Sequence, residues 1–356
     1  MEARRDPEPV PDVLLEARQL TKHFRAGGSL LSRQWLHAVD DVDLVLRRGE
    51  IVALVGESGS GKSTLARLLA LVYRPTSGEV LFEGRPVHRL RSRKAISAYR
   101  SSVQLVFQDP FSFTNPFYRA SHGVLRALKL YQPELGHQSR ERTARELLET
   151  VGLIPGDEFM LKRPFELSGG QLQRYGFAQA LACRPRVILA DEPLSMLDVS
   201  IRIGILNLMR QLRSERGLTF LYITHDIASA CYVADRVVVL YGGHVVEMAS
   251  VRQLLARSKH AYTELLLGAA PDPRLPVAQE LETEEFEPPQ VIDPGEGCRF
   301  CERCPGAVAE CSVVTPRLRV MGDGHKAACH VAVPDSDEQS MSEIEISRKE
   351  MEESSA

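Results

Sequence analysis

Several absences narrow this sequence before any motif is read. No apolar run approaches the roughly 20 residues that a membrane-crossing helix requires, so a soluble chain is expected. The opening stretch MEARRDPEPVPDV has no apolar core of the kind a secretory signal carries, and a cytosolic location follows as the expectation. A basic excess is also missing: the formal net charge is -3, which argues against a chain-wide nucleic-acid surface. The one dense basic run (Arg85, Arg89, Arg91, Arg93, Lys94, Arg100) reads as a solvated loop or helix face. Internal repeats are absent. Cysteine is nearly absent until the C-terminal region: of seven, only Cys183 and Cys231 lie elsewhere, in apolar stretches expected to be core.

What is present begins with enough apolar material, 44% of 356 residues, for one large α/β domain and a smaller second one. The chain is organised around IVALVGESGSGKST, residues 51–64. Ile51 to Val55 is a β-branched apolar run expected to be a buried strand, and it breaks into a glycine-rich loop followed by the helical LARLLALVY. Strand, loop and helix make a phosphate cradle over Gly56, Ser58, Gly59, Ser60, Gly61, Lys62, Ser63 and Thr64. Glycines let backbone N–H groups curl around phosphate oxygens, Lys62 puts a point charge on the β and γ phosphates, and Ser63 offers a hydroxyl to Mg²⁺. Chance would give such a match roughly once in a hundred chains of this length. The flanking strand and helix remove that reading.

Residues 1–12 are charged and Pro-rich and read as a tail. VLLEARQLTKHF (13–24) is expected as an edge strand, AGGSLLSRQWLH (26–37) as a loop, and AVDDVDLVL as the next strand. Short strands in RPTSGEVLFEG and SSVQLVF precede a helical pattern from about 118 to 166, the mark of an inserted helical subdomain at about 109–182. VILADEP and LTFLYITHD are buried strands flanking an amphipathic helix, and VVVLYGGHVVEMA is a strand pair about Gly242-Gly243. Strands alternating with helices at this spacing predict a mostly parallel sheet with helices on its faces. Residues 271–297 are Pro-rich and acidic and read as a linker, and 335–356 as a disordered acidic tail.

A phosphate loop alone names no reaction. At the end of a buried strand, Asp191 is placed to hold Mg²⁺ through water and Glu192 to orient and deprotonate an attacking water. LSGGQ (167–171) then opens a helix, so Ser168 with the amides of Gly169 and Gly170 forms a second anion cradle. With these motifs in order, residues 13–258 resemble the ATP-binding subunits of ABC transporters. The resemblance implies an α/β P-loop NTPase core with an inserted helical subdomain, ATP and Mg²⁺ as cofactors, and a head-to-tail dimer around two ATPs. In that scheme Gln108 touches Mg²⁺ and the attacking water, His225 contacts the γ-phosphate, and Phe24 stacks on adenine. Ser168, Gly169, Gly170 and Gln171, with Asp198, serve the ATP of the partner subunit. Leu172, Gln179, Leu194 and Met196 depart from the family pattern without removing a catalytic group, which fits a heterodimer, a homodimer being the other arrangement.

GESGSGKST, FQDPFSFTNP and the extension from 259 to 334 resemble more closely the importer branch for oligopeptides, dipeptides and nickel. In that branch Cys298, Cys304, Cys311 and Cys329 match positions that in some members bind a four-iron, four-sulfur cluster, Cys301 being extra to the pattern. Zinc is the competing metal, held by four cysteines or by three with His325 or His330. The resemblance further implies a second ATP-binding subunit, two membrane permease subunits, an extracytoplasmic solute-binding protein, and a place on the cytoplasmic face of a bacterial membrane, with no nucleic-acid partner. Rival readings are a soluble ATPase of the same kind that acts on nucleic acid or serves metal-sensing regulation.

Overall fold

The structure, a computed structural model, describes residues 12–27, 34–109, 111, 114–269 and 291–335. The expected tails before residue 12 and after 335, and residues 270–290 of the expected linker, lie outside the described residues. The chain runs β1 (Val13–Gly27), β2 (Gln34–Arg47), β3 (Ile51–Val55), α1 (Lys62–Leu69), β4 (Ser77–Phe82), β5 (Arg85–Pro86), α2 (Arg93–Ser102) and β6 (Val103–Val106). Four helices follow: α3 (Ser121–Tyr131), α4 (His137–Thr150), α5 (Gly156–Leu161) and α6 (Gly169–Leu181). Next come β7 (Val187–Asp191), α7 (Val199–Arg216), β8 (Thr219–Thr224), α8 (Ile227–Val233), β9 (Arg236–Tyr241) and β10 (His244–Ser250). Helices α9 (Val251–Ala256) and α10 (Ala261–Gly268) lead to the short strands β11 (Arg319–Val320) and β12 (Lys326–Ala327). Among the described residues no helix is long and apolar enough to cross a membrane.

Two sheets divide these strands. The central sheet has the order β11-β12-β10-β9-β3-β8-β7-β6, and the five strands from β9 to the β6 edge run parallel. Every residue of β3, β7 and β8 is buried. Continuous apolar runs suit strands covered on both faces, which is why their sequences do not alternate. One face carries the core built with α6 and the helices before it; the other packs Val52, Leu54, Leu189 and Leu221 against the second sheet and α1. Gly242 and Gly243, at φ 53° and 83°, make the tight turn that sends β10 back antiparallel to β9.

The second sheet is antiparallel, in the order β2-β1-β4-β5. Residues 34–37, read from sequence as loop, belong to β2: Trp35 and Leu36 lie opposite Arg25 and Phe24. Leu36 also bridges Ile292, within the stretch read as linker, and His37 donates its N–H to the Val291 carbonyl at 2.9 Å. Polar, Gly-flanked sequence suggested a loop, but pairing on both sides extends the strand.

The extension after residue 258 is built onto the central sheet. β12 pairs with β10, Glu247 opposite Ala327. The fully buried Glu247 carboxylate accepts from His325 Nε2 at 2.7 Å and from the N–H groups of Lys259 and His260. A buried carboxylate needs such donors to offset its lost hydration. Phe300, 1% exposed, stands edge-on to Tyr241 with ring centres 5.2 Å apart and lies 5.5 Å from Tyr262. Truncating this anchor removes one of the largest buried side chains of the molecule. Phe300→Ala is predicted to lower the unfolding free energy by about 3–5 kcal/mol, read by chemical denaturation; a loss under about 1 kcal/mol would show that the extension is not anchored there.

Candidate functional site

Strand β3 delivers the chain to the loop at a point where backbone crowds backbone. A Cβ at Gly56 would lie 2.1 Å from the Leu240 carbonyl oxygen, and one at Gly61, where φ is 103°, would lie 2.0 Å from that of Ala38. Only glycine fits either position. The loop so wound hands its N–H groups to the start of α1, where Gly61 is the capping residue. Lys62 turns inward: its Nζ donates to the carbonyls of Gly56 and Glu57, each at 2.7 Å, and lies 4.0 Å from Glu192 Oε1. Burial lowers the pKa of this ammonium, opposed by Glu192, Asp191 and Glu57.

Carboxylates arrive from the end of β7. Ser63 Oγ donates to Asp191 Oδ1 at 2.8 Å. Burial raises the Asp191 pKa, opposed by Ser63 and Arg67. Gln108 Nε2 donates to Glu192 Oε2 at 3.0 Å, and His225 Nδ1 stands 3.6 Å from the same oxygen. Glu192 has φ 43°, a left-handed conformation fixed by its N–H bond to the Ile223 carbonyl at 3.0 Å. A non-glycine residue held there is strained by roughly 1–3 kcal/mol, a strain characteristic of functional positions. Lys62, Ser63, Gln108, Asp191, Glu192 and His225, scattered in sequence, thus meet in one place.

An open cleft of about 890 Å³ lies over this cluster. Phe24, Ser58, Gly59, Gly61, Lys62, Ser63, Thr64, Gln108 and Glu192 line it, while Gly56 and Ser60 of the expected cradle are not among its lining residues. Leu36, His37 and Ala38 of β2 also line it, as do Val291 and Ile292 from within the expected linker, none of which sequence reasoning found. Phe24 is held edge-on by Tyr73, ring centres 5.5 Å apart. Among the described residues lining the cleft, none comes from 168–171 and Asp198 is not there either.

Those residues form a second group. Ser168 caps α6 in a reciprocal box with Gln171: its Oγ accepts the Gln171 N–H at 3.3 Å, and its own N–H donates to Gln171 Oε1 at 3.0 Å. Asp198 caps α7 through its carbonyl, leaving its exposed side chain without a cap bond. The two helix starts touch, since a Cβ at Gly170 would lie 2.5 Å from Ile201 Cγ2. Of the residues that depart from the family pattern, Leu172 is fully buried and Met196 is 61% exposed.

In the cysteine segment, burial pushes the Cys298 thiol up to about 11, with Cys311, Cys329 and Cys301 adding to it. Burial and the neighbouring Cys329, Cys311 and Cys301 likewise raise Cys304. The backbone folds the segment on itself, Cys298 N–H donating to the Cys311 carbonyl at 2.7 Å and Cys301 N–H to that of Cys298 at 2.9 Å. Among the described residues no three thiols come within 4.8 Å of one another. His325 is committed to Glu247, and His330 Nε2 donates to the Val314 carbonyl at 2.9 Å.

The model of the ABC transporter family matches residues 39–195, and that of the oligopeptide/dipeptide transporter C-terminal region matches 246–311. A probable peptide ABC transporter ATP-binding protein of Sinorhizobium fredii is 42% identical over 328 residues, 91% of this chain and 92% of that one. A putative oligopeptide transport ATP-binding protein of Bacillus subtilis is 41% identical over 320 residues, covering 89% and 95%. A dimeric ATP-binding cassette in a post-hydrolysis state, bound to ADP and Pi, superposes with a TM-score of 0.60 at 30% identity, over 67% of this chain and 99% of that chain. With phosphate loop, paired carboxylates and signature helix in place, the chain belongs to the ATP-hydrolysing, ATP-binding subunits of ABC transporters, in the group that carries the oligopeptide/dipeptide C-terminal region.

Proposed function

We propose that this chain powers import of di- or oligopeptides, with Glu192 as the general base and with each ATP held between this chain and a second ATP-binding subunit. The convergence of Lys62, Gln108 and His225 on the Glu192 carboxylate carries the reading. Phe24 takes the adenine, the loop from Gly56 to Thr64 takes the phosphates, and Ser63, Asp191 and Gln108 hold Mg²⁺, which neutralises phosphate charge when bound. Glu192 accepts a proton from the attacking water as the bond from the bridging oxygen to the γ-phosphorus breaks, and Lys62 and His225 stabilise the charge that develops. Ser168, the Gly169 and Gly170 amides, Gln171 and Asp198 serve the ATP of the partner subunit. Closure on ATP and opening after hydrolysis is the stroke delivered to two permease subunits at the cytoplasmic face of the membrane, with an extracytoplasmic solute-binding protein selecting the peptide.

Glu192→Gln keeps size and hydrogen bonding but removes the base. ATP binding is expected to stay within about twofold while turnover falls at least 100-fold, measured by phosphate release; near-normal hydrolysis would remove Glu192 from the role.

The permease contact lies beside Gln108. Phe111 and Phe117 are 53% and 83% exposed there, a cost in apolar surface that docking to a loop of the membrane subunits offsets. Phe117→Ser is predicted to cut peptide uptake by reconstituted vesicles about tenfold while basal ATPase stays within twofold. Unchanged uptake would place the permease elsewhere.

Cys298, Cys304, Cys311 and Cys329, with Cys301 as a spare or substitute ligand, are proposed to hold a four-iron, four-sulfur cluster. Supporting this, each thiolate of a cluster binds a different iron and stands wider than around one zinc ion, and among the described residues no three thiols come within 4.8 Å of one another. Anaerobic purification is expected to give about four irons and four sulfides per chain, lost in Cys311→Ser. Stoichiometric zinc without sulfide would overturn the cluster and leave the ATPase untouched.

A further inference from the structure

Glu57, the second residue of the phosphate loop, is tied to the distant C-terminal extension through both its backbone and its side chain. Its carbonyl accepts from Lys62 Nζ at 2.7 Å and from the Ser60 N–H at 3.2 Å, so it helps shape the loop from within. From outside, its N–H donates to the Tyr262 hydroxyl at 2.8 Å. Its carboxylate accepts two parallel bonds from Arg303, Nη1 to Oε2 at 2.9 Å and Nη2 to Oε1 at 3.0 Å. The pair is 27% and 22% exposed, shielded enough to matter more than an open surface pair. Arg303 is itself fixed: Nη1 reaches the Tyr241 hydroxyl at 3.3 Å, and the guanidinium lies 5.7 Å from the ring centres of Tyr241 and Phe300. The Glu57 carboxylate raises the pKa of the Arg303 guanidinium, their hydrogen bonds being the largest cause.

We propose that Arg303 is a positioning residue for the ATP reaction, gripping Glu57 from the C-terminal extension so that the phosphate loop is held in its binding form. The proposal rests on the ATP site assigned above. Its physical content is preorganisation: a loop already wound costs less to order around phosphates, so the grip acts on ATP affinity and not on the chemical step. Arg303 stands in the turn Cys301–Arg303, directly before Cys304, so whatever orders that turn also orders the loop.

The test compares Arg303→Gln, Glu57→Gln and the double variant in the full chain, with Kd for ATP read by equilibrium dialysis and kcat by phosphate release. Each single variant is expected to weaken ATP binding about tenfold, which is about 1.4 kcal/mol, with kcat at saturating ATP within twofold. The double variant is expected to be no worse than either single one, and Arg303→Lys to recover part of the loss. Glu57→Gln leaves the extension's own sequence intact and carries the test alone should Arg303→Gln fold poorly. Unchanged Kd, or losses that multiply in the double variant, would overturn the proposal. Lys62→Ala measured alongside separates the two levels: if it binds ATP as tightly as the unaltered chain, the ATP site itself is misassigned.

Discussion

A buried ammonium is the constraint on which this molecule turns. The Lys62 side chain is 3% exposed, and taking a charge out of water is costly unless polar groups replace the hydration. Here two loop carbonyls and the nearby Glu192 carboxylate do so. To bring those carbonyls round, the loop must wind so tightly that Gly56 rests on Leu240 and Gly61 on Ala38. The same winding points the loop toward the start of α1 and leaves the cleft open above the cation. Anionic phosphates supply the countercharge that the carbonyls only approximate, so the fold is poised for its ligand before the ligand arrives.

The second physical feature is what the cleft lacks. Phosphate loop, Asp191, Glu192 and His225 gather at one end of the parallel sheet, while Ser168 and Asp198 meet on a separate pair of helix starts and do not line the cleft. A helix N-terminus attracts anions, and under the proposed function this one serves the phosphates of another molecule. On that reading association and ATP occupancy are one equilibrium: nucleotide that bridges two such surfaces would stabilise the closed pair, and its hydrolysis would remove that bridge.

Much of this was legible in sequence because it is local. GESGSGKST, DEP and LSGGQ each sit within a single strand-to-helix or loop-to-helix junction, where glycine, charge and capping residues must occur at fixed offsets. What was not legible depends on pairing at long range. Residues 34–37 looked like loop because nothing in QWLH shows that Arg25 and Ile292 flank it on either side. The acidic, Pro-rich surroundings of Val291 and Ile292 read as a linker, yet both residues line the cleft over the phosphate loop. Glu57 and Arg303 are 246 positions apart, and one arginine among several in a basic-acidic chain carries no mark of its partner. A lone Phe-x-x-Arg between cysteines, next to a segment too small to make its own core, was the one available hint that this turn leans on something else.

The claim that most needs testing is that the signature serves a different chain's ATP. The direct measurement is the ATP dissociation constant of the isolated chain carrying Ser168→Arg, by equilibrium dialysis. An affinity within about twofold of the unaltered chain, together with at least a 100-fold loss of ATPase in the assembled transporter, is what a half-site requires. Binding weakened tenfold or more in the isolated chain would contradict it, because Ser168 would then belong to its own chain's site.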